Sequence, residues 1–281
     1  MISYFQAIVL GALQGVTELF PISSLGHSVI LPALLGWNID QSGSPFLVFL
    51  VATHFATALV LLGFFWKDWV RIFQGLVRSI VFRRINGDTH AKLGWLIIIA
   101  TIPGGILGLL LEKRIGALFA APSAAAVFLI VNGCILYGAE KIKRKRVENV
   151  LSSDEEIAKL SWTKSFFVGC AQALALIPGI SRTGSALSGG LLSGIDHESA
   201  ARFAFLLATP IIFAAAFLKL PALFHSGYPA GATLIGALAA ALGAYLSVRF
   251  LIKYFQTKTL VPFALYCIIF GAISFVVLLF R

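Results

Sequence analysis

Stretches of about 20 apolar residues, the length of helix that crosses a bilayer, recur six times in this chain. They fall at 46–66, 94–112, 122–139, 201–220, 230–252 and 260–280. Inside a bilayer the backbone must satisfy its own hydrogen bonds, and runs of this length do so as helices. The expected fold class is therefore an all-α integral membrane protein with six transmembrane helices. Composition agrees: 12% of residues are charged, against about 25% in a soluble domain. The net charge of +10 is a matter of topology. Lys67, Arg71, Arg78, Arg83, Arg84 and Lys92 fall in one hydrophilic loop, and Lys141, Lys143, Arg144, Lys145, Arg146 and Lys159 in another. Two spans joined by 113–121 separate these loops, so both face one side, the cytoplasm by the positive-inside rule. The expected partner is the bilayer, and no nucleic acid is expected. Cys134, Cys170 and Cys267 have neither disulfide nor metal spacing.

The chain matches itself. Residues 11–36 laid on 169–194 pair Gly11 with Gly169, Gln14 with Gln172, Ile22 with Ile180, Ser23 with Ser181, Gly26 with Gly184 and Gly36 with Gly194. After a two-residue shift, Phe49–Thr53 matches Phe205–Thr209. This divides the chain into repeat one, 1–139, a charged cytoplasmic linker, 140–161, and repeat two, 162–281. The segments 1–36 and 162–194 are interrupted by Pro21 and by Pro178-Gly179 and hold polar residues mid-run. Each reads as a re-entrant helix–loop–helix hairpin, and each repeat as one hairpin plus three spans. The topology then inverts one repeat relative to the other, an arrangement that places a site near the midplane where the repeats meet.

The hairpin residues carry the chemistry. Gln14 and Glu18 are four apart and share a helix face. A carboxylate at membrane depth is costly and marks function or a clamp. After it comes Pro21-Ile22-Ser23-Ser24-Leu25-Gly26-His27, a turn with capping serines at a helix start, where free N–H groups favour an anion. The matching loop reads Pro178-Gly179-Ile180-Ser181-Arg182-Thr183-Gly184-Ser185. Leu176 there stands for Glu18 and Arg182 for Ser24, and an arginine fork suits phosphate. One loop supplies a carboxylate and a nucleophile, the other a cation and hydroxyls. His54, in the first full span, either lines the same cavity or packs and hydrogen-bonds within the bundle, and the second is the favoured expectation. Asp196, His197 and Glu198 read as a solvated helix start.

These two loops resemble those of the bacitracin-resistance family of undecaprenyl-diphosphate phosphatases. The first signature, a Glu or Gln, a Glu four residues on and a Pro-x-Ser-Ser-x-Gly-His loop, is met by Gln14, Glu18 and Pro21 to His27. The second, Pro-Gly-x-Ser-Arg-Ser, is met by Pro178 to Arg182. Leu25 stands where the family carries Thr, Thr183 where it carries Ser, and Ala186 where a Thr is typical. The resemblance implies hydrolysis of undecaprenyl diphosphate, a polyprenyl diphosphate, to undecaprenyl phosphate and phosphate. This recycles the carrier lipid of cell-wall peptidoglycan synthesis and confers bacitracin resistance. It also implies a bacterial inner membrane, a site opening to the outer, periplasmic side, and a divalent cation, Mg or Ca.

Carried onto this chain, the catalytic residues are Glu18, Ser24, His27 and Arg182, with Ser24 as nucleophile, or water in its place, and His27 as general base or acid. Gln14, Ser23, Gly26, Ser181, Thr183, Gly184 and Ser185 would bind substrate, and Glu18 with Gln14 would hold the metal. A homodimer is an open expectation. The rival reading is a transporter or flippase for lipid phosphates, since inverted repeats are transporter architecture.

Overall fold

The computed structural model describes residues 2–41, 43–85, 87–118, 121–143, 152–225 and 230–281. In chain order its helices are α1 (Tyr4–Leu19), α2 (Ser24–Leu35), α3 (Ser44–Phe64), α4 (Trp66–Val81), α5 (Thr89–Leu118), α6 (Pro122–Ile142), α7 (Ser153–Ala158), α8 (Trp162–Ala173), α9 (Arg182–Ser193), α10 (His197–His225), α11 (Ala230–Phe255) and α12 (Val261–Leu279). Among the described residues no strand occurs. Six helices, α3, α5, α6, α10, α11 and α12, are long and apolar enough to cross a membrane. They fall on the six expected runs. The chain is an all-helical, multi-pass membrane protein.

Local chemistry sets the helix ends. Ser3 and Gln6 form a reciprocal capping box at α1, and Ser152 with Glu155 forms another at α7. Proline stands in the first turn of α3, α6 and α12, where its missing N–H costs nothing. α2 and α9 both end at a left-handed glycine, Gly36 and Gly194.

The hydrophilic stretch 67–93 is not a loop throughout. Most of its first half is α4, continuing from α3 after a bend at Phe65. The abundance of basic residues hides a helical period of apolar ones. Likewise α6 extends into the expected linker as far as Ile142, and α7 lies within it. Arg144, Lys145 and Arg146 lie outside the described residues.

The short helices are held by glycine-lined contacts. On α1, a Cβ at Gly11 would lie 2.1 Å from Gly236 O of α11, and one at Gly15 2.1 Å from Ala240 O. On α8, a Cβ at Gly169 would lie 2.4 Å from Ala100 O of α5. Backbones this close admit no side chain, a common device where helices pack in a bilayer. Ser165 and Gln172 add hydrogen bonds from α8 to Leu96 O and Ala100 O, at 2.7 and 2.9 Å.

At one end of the bundle, charged groups pin the connections. Arg202 is shared by Asp154 at 2.7 Å and Asp68 at 2.9 Å. Glu156 accepts from Asp196 N and Ser199 Oγ, and Glu140 accepts from Leu260 N and lies 2.8 Å from His197 Nε2. Asp196 caps α10 through Ser199 N, so the helix start expected over Asp196–Glu198 is present, with Asp196 and His197 partnered rather than simply solvated.

Candidate active site

Two sharp loops make the site. α1 ends where Phe20 turns extended before Pro21, and the chain re-enters a helix at Ser24. Ser23, the N-cap of α2, has φ 68°, a conformation unfavourable for a residue with a Cβ. Its hydroxyl accepts from Gly26 N, and its carbonyl accepts from His27 N at 3.2 Å and faces His27 Nδ1 at 2.7 Å. In the second loop Gly179 takes the positive φ, 104°, and Ser181 caps α9 in ordinary extended geometry, its hydroxyl accepting from Gly184 N at 3.0 Å.

The loops touch. A Cβ on Gly26 would lie 2.9 Å from Gly179 Cα, and one on Gly184 would lie 3.2 Å from Pro21 Cβ. Asn132 of α6 joins them: its Nδ2 donates to Pro21 O at 3.0 Å and its Oδ1 accepts from Ser181 N at 2.9 Å. Sequence reasoning missed this residue. The available signal was a lone amide in an apolar span, which needs partners of its own.

Glu18 is the hub and is buried. Its Oε1 pairs with Arg182 Nη2. Its Oε2 accepts from Ser24 Oγ and from Gln14 Nε2, the latter at 3.0 Å, and lies 3.3 Å from His54 Nε2. Thr183 Oγ1 donates to the Glu18 carbonyl at 2.9 Å. So Gln14, Glu18, Ser24, Arg182 and Thr183, drawn from both loops, do meet.

Others are placed differently. His27 does not reach Ser24. Its Nδ1 is on Ser23 O and its Nε2 lies 2.8 Å from the Tyr266 hydroxyl, with the ring stacked against Phe270 and Tyr266. The group bonded to Ser24 is Glu18. Ser23 and Ser181 are engaged as caps, with Gly26 and Gly184 as the amides they bind. His54 does both things open to it: it lies against the Glu18 carboxylate and hydrogen-bonds to Leu50 O through Nδ1 at 2.7 Å.

Three buried polar atoms in the site have no partner among the described residues: Gln14 Oε1, Arg182 Nε and Ser185 Oγ. Buried polar atoms ordinarily find a partner, so these are open valences for a ligand. Gln14 Oε1 and the adjacent carboxylate are hard oxygen donors of the kind a Mg or Ca ion takes. Arg182 Nε and Ser185 Oγ are donors suited to phosphate oxygen.

A multi-pass membrane protein with a buried cluster of carboxylate, arginine and hydroxyl groups, built where two short-helix loops abut, is the class that this fold and geometry define. The family model for bacitracin resistance protein BacA matches residues 7–273, and the chain belongs to that family. The undecaprenyl-diphosphatase of Mycolicibacterium paratuberculosis is 47% identical, with all of this chain and 99% of that protein covered. That of Acidiphilium cryptum is 45% identical over 98% of each, and undecaprenyl-diphosphatase 2 of Frankia alni is 41% identical over 97% of each.

Proposed function

We propose that this chain is a membrane hydrolase that converts undecaprenyl diphosphate to undecaprenyl phosphate and inorganic phosphate. The single observation that carries the reading is Glu18, which bonds both the Ser24 hydroxyl and Arg182 of the opposite loop. This sets a nucleophile, a proton acceptor and a phosphate-binding cation within one cluster. The names of full-length relatives supply the substrate.

In the proposed reaction Arg182 binds the diphosphate through Nε, which has no partner among the described residues, and through Nη2, which now faces Glu18. Ser185 Oγ and the amides at the start of α9 add donors. Ser24 Oγ attacks the terminal phosphorus and its proton passes to Glu18. The bond from that phosphorus to the bridging oxygen breaks, and undecaprenyl phosphate leaves. Water then cleaves the Ser24 phosphoester, releasing phosphate and restoring the hydroxyl. Direct attack by water on the bound diphosphate is the competing route, and recovery of labelled phosphate on Ser24 distinguishes the two. Glu18 and Gln14 Oε1 would hold a Mg or Ca ion, with diphosphate oxygens completing its shell. Bound there, the ion would neutralise charge developing on the phosphate. His27 positions the loop by holding Ser23 O.

The architecture is proposed to be an inverted repeat, 1–139 against 162–281 across the linker 140–161, with re-entrant hairpins at 1–36 and 162–194. Helices α1, α2, α8 and α9 have 16, 12, 12 and 12 residues, short of the roughly 20 a span needs. Reciprocal contacts support the repeat: α1 packs on α11 as α8 packs on α5, and Gly26 meets Gly179 as Gly184 meets Pro21. The protein is proposed to lie in a bacterial inner membrane with basic loops cytoplasmic and the site opening outward. A homodimer is proposed as its working state.

Purified protein in detergent, given a polyprenyl diphosphate, is expected to release inorganic phosphate, to stop when chelated and to recover with Mg or Ca. No release by the wild-type chain would overturn the hydrolase reading in favour of lipid-phosphate transport. Equal release by Arg182→Ala would overturn the site.

A further inference from the structure

We infer that α4 is an in-plane anchor that lies on the bilayer surface and binds the anionic headgroups of the leaflet on its side. The inference is independent of the hydrolase reading and would survive its failure.

The helix divides into three faces. At 3.6 residues per turn, Ile72, Gly75 and Ser79 fall together and are buried against α5. Trp66, Val70, Phe73, Val77 and Ile80 make a second stripe, all exposed, Phe73 by 67% and Ile80 by 63%. Lys67, Arg71, Gln74 and Arg78 make the third, exposed and flanking the apolar stripe. Arg83 and Arg84 follow, also exposed. A soluble surface rarely shows so continuous an apolar stripe. A helix with one face on protein, one apolar and one basic fits the boundary between acyl chains and headgroups.

Position supports the same occupant. α4 joins the end of one span, at Phe64, to the start of the next, at Thr89. It meets α5 in one patch near the beginning of that helix. A Cβ on Gly75 would lie 2.5 Å from Ala91 N, Gly94 sits against Ile72 and Leu76, and Trp95 Nε1 donates to Ser79 Oγ at 2.9 Å. Residues 72–79 therefore pack on the first turns of α5, at the end where that span begins, which is where the bilayer surface lies. Charge selects the lipid. Arg78 is held by Asp88 at 2.7 Å, while Lys67, Arg71, Arg83 and Arg84 stand beside the apolar stripe at exposed positions, complementary to lipid phosphate and to an anionic leaflet.

Two measurements test this in vesicles of phosphatidylcholine and phosphatidylglycerol. In the first, nitroxide labels are placed at Phe73→Cys, Val77→Cys, Arg71→Cys and Gln74→Cys, each in the full chain with Cys134→Ser and Cys170→Ser. Labels at 73 and 77 are expected to be more accessible to oxygen than to a water-soluble nickel chelate, and labels at 71 and 74 the reverse. Nickel dominance at 73 and 77 overturns the proposal, as does spin–spin broadening at 73, which would mean that a second copy covers this face. In the second, spin-labelled phosphatidylglycerol is compared with its phosphatidylcholine counterpart at the protein surface. The quadruple variant Lys67→Gln, Arg71→Gln, Arg83→Gln, Arg84→Gln is expected to lower the preference at least about fivefold, the effect of one basic residue near an anionic surface. An unchanged preference overturns the charge selection. If that variant does not reconstitute, the wild type decides: the preference must fall at about 1 M salt, where screening acts within about 3 Å, and persistence overturns the selection.

Discussion

The loop before α2 and the loop before α9 are built to one plan and hold their strain differently. Each ends in a serine whose hydroxyl accepts from the glycine N–H three residues on. In the second loop the left-handed residue is Gly179, which adopts it freely. In the first it is Ser23, which does not, and His27 grips the carbonyl of that residue. Strain of this kind, of order 1–3 kcal/mol, persists where surrounding contacts over-determine the backbone, typically at functional sites. The strained loop is the one that leads into Ser24, whose hydroxyl donates to Glu18. The relaxed loop leads into Arg182, which pairs with the same carboxylate.

The largest effect should come from cutting the tie between the two. Arg182→Ala leaves Glu18 buried without its partner and is expected to cost about 3–5 kcal/mol of stability, read as a fall in thermal midpoint in detergent. Glu18→Gln keeps a neutral hydrogen-bonding group and should unfold later than Arg182→Ala. Phosphate release should nonetheless drop by about 10²-fold or more in both. Wild-type stability in both variants would mean that the pair does not help to tie the loops together.

Gly179→Ala is next. It meets a positive φ and a backbone oxygen, Ala125 O, 2.4 Å from the new Cβ, so a loss of at least about 2 kcal/mol is expected, measurable by denaturant titration. Asn132→Leu should follow, at about 1–3 kcal/mol, because Pro21 O and Ser181 N both lose their buried partner. Its loss should appear as faster amide exchange at both loops together; exchange confined to one would show that Asn132 does not join them.

The smallest effect compares the caps themselves. Ser181→Gly removes a cap at a relaxed position and should cost a few tenths of a kcal/mol. Ser23→Gly removes a cap but releases the φ, and should be neutral or stabilising by up to about 1 kcal/mol. The difference in thermal midpoint between these variants reads the strain directly, and the reverse ranking would dismiss it.

The spans were legible because a bilayer demands a length and a polarity that few other sequences meet. The two loops were legible because proline and polar residues inside an apolar run have no other use. What escaped depends on tertiary neighbours. His54 was favoured as a packing or hydrogen-bonding residue over a cavity-lining one, because nothing local shows that α3 brings it to Glu18, 36 positions earlier. His27 looked like a partner for Ser24, three residues away, yet Tyr266, far along the chain, takes its other nitrogen. Asn132 has no motif at all. The helix at 66–81 was obscured by its own basic face, although its apolar residues kept a helical spacing throughout.

The packing of α1 on α11 bears on how the protein is made. Gly11 and Gly15 rest on Gly236 and Ala240, which are synthesised last but for α12. At about 5–20 residues per second, ribosomes need on the order of 10–40 s to travel from one to the other. During that interval α1 has no groove to enter, and for most of it Glu18 has no Arg182. The nascent chain must therefore be sheltered, by the insertion machinery or at the membrane surface, until roughly its last fifth arrives.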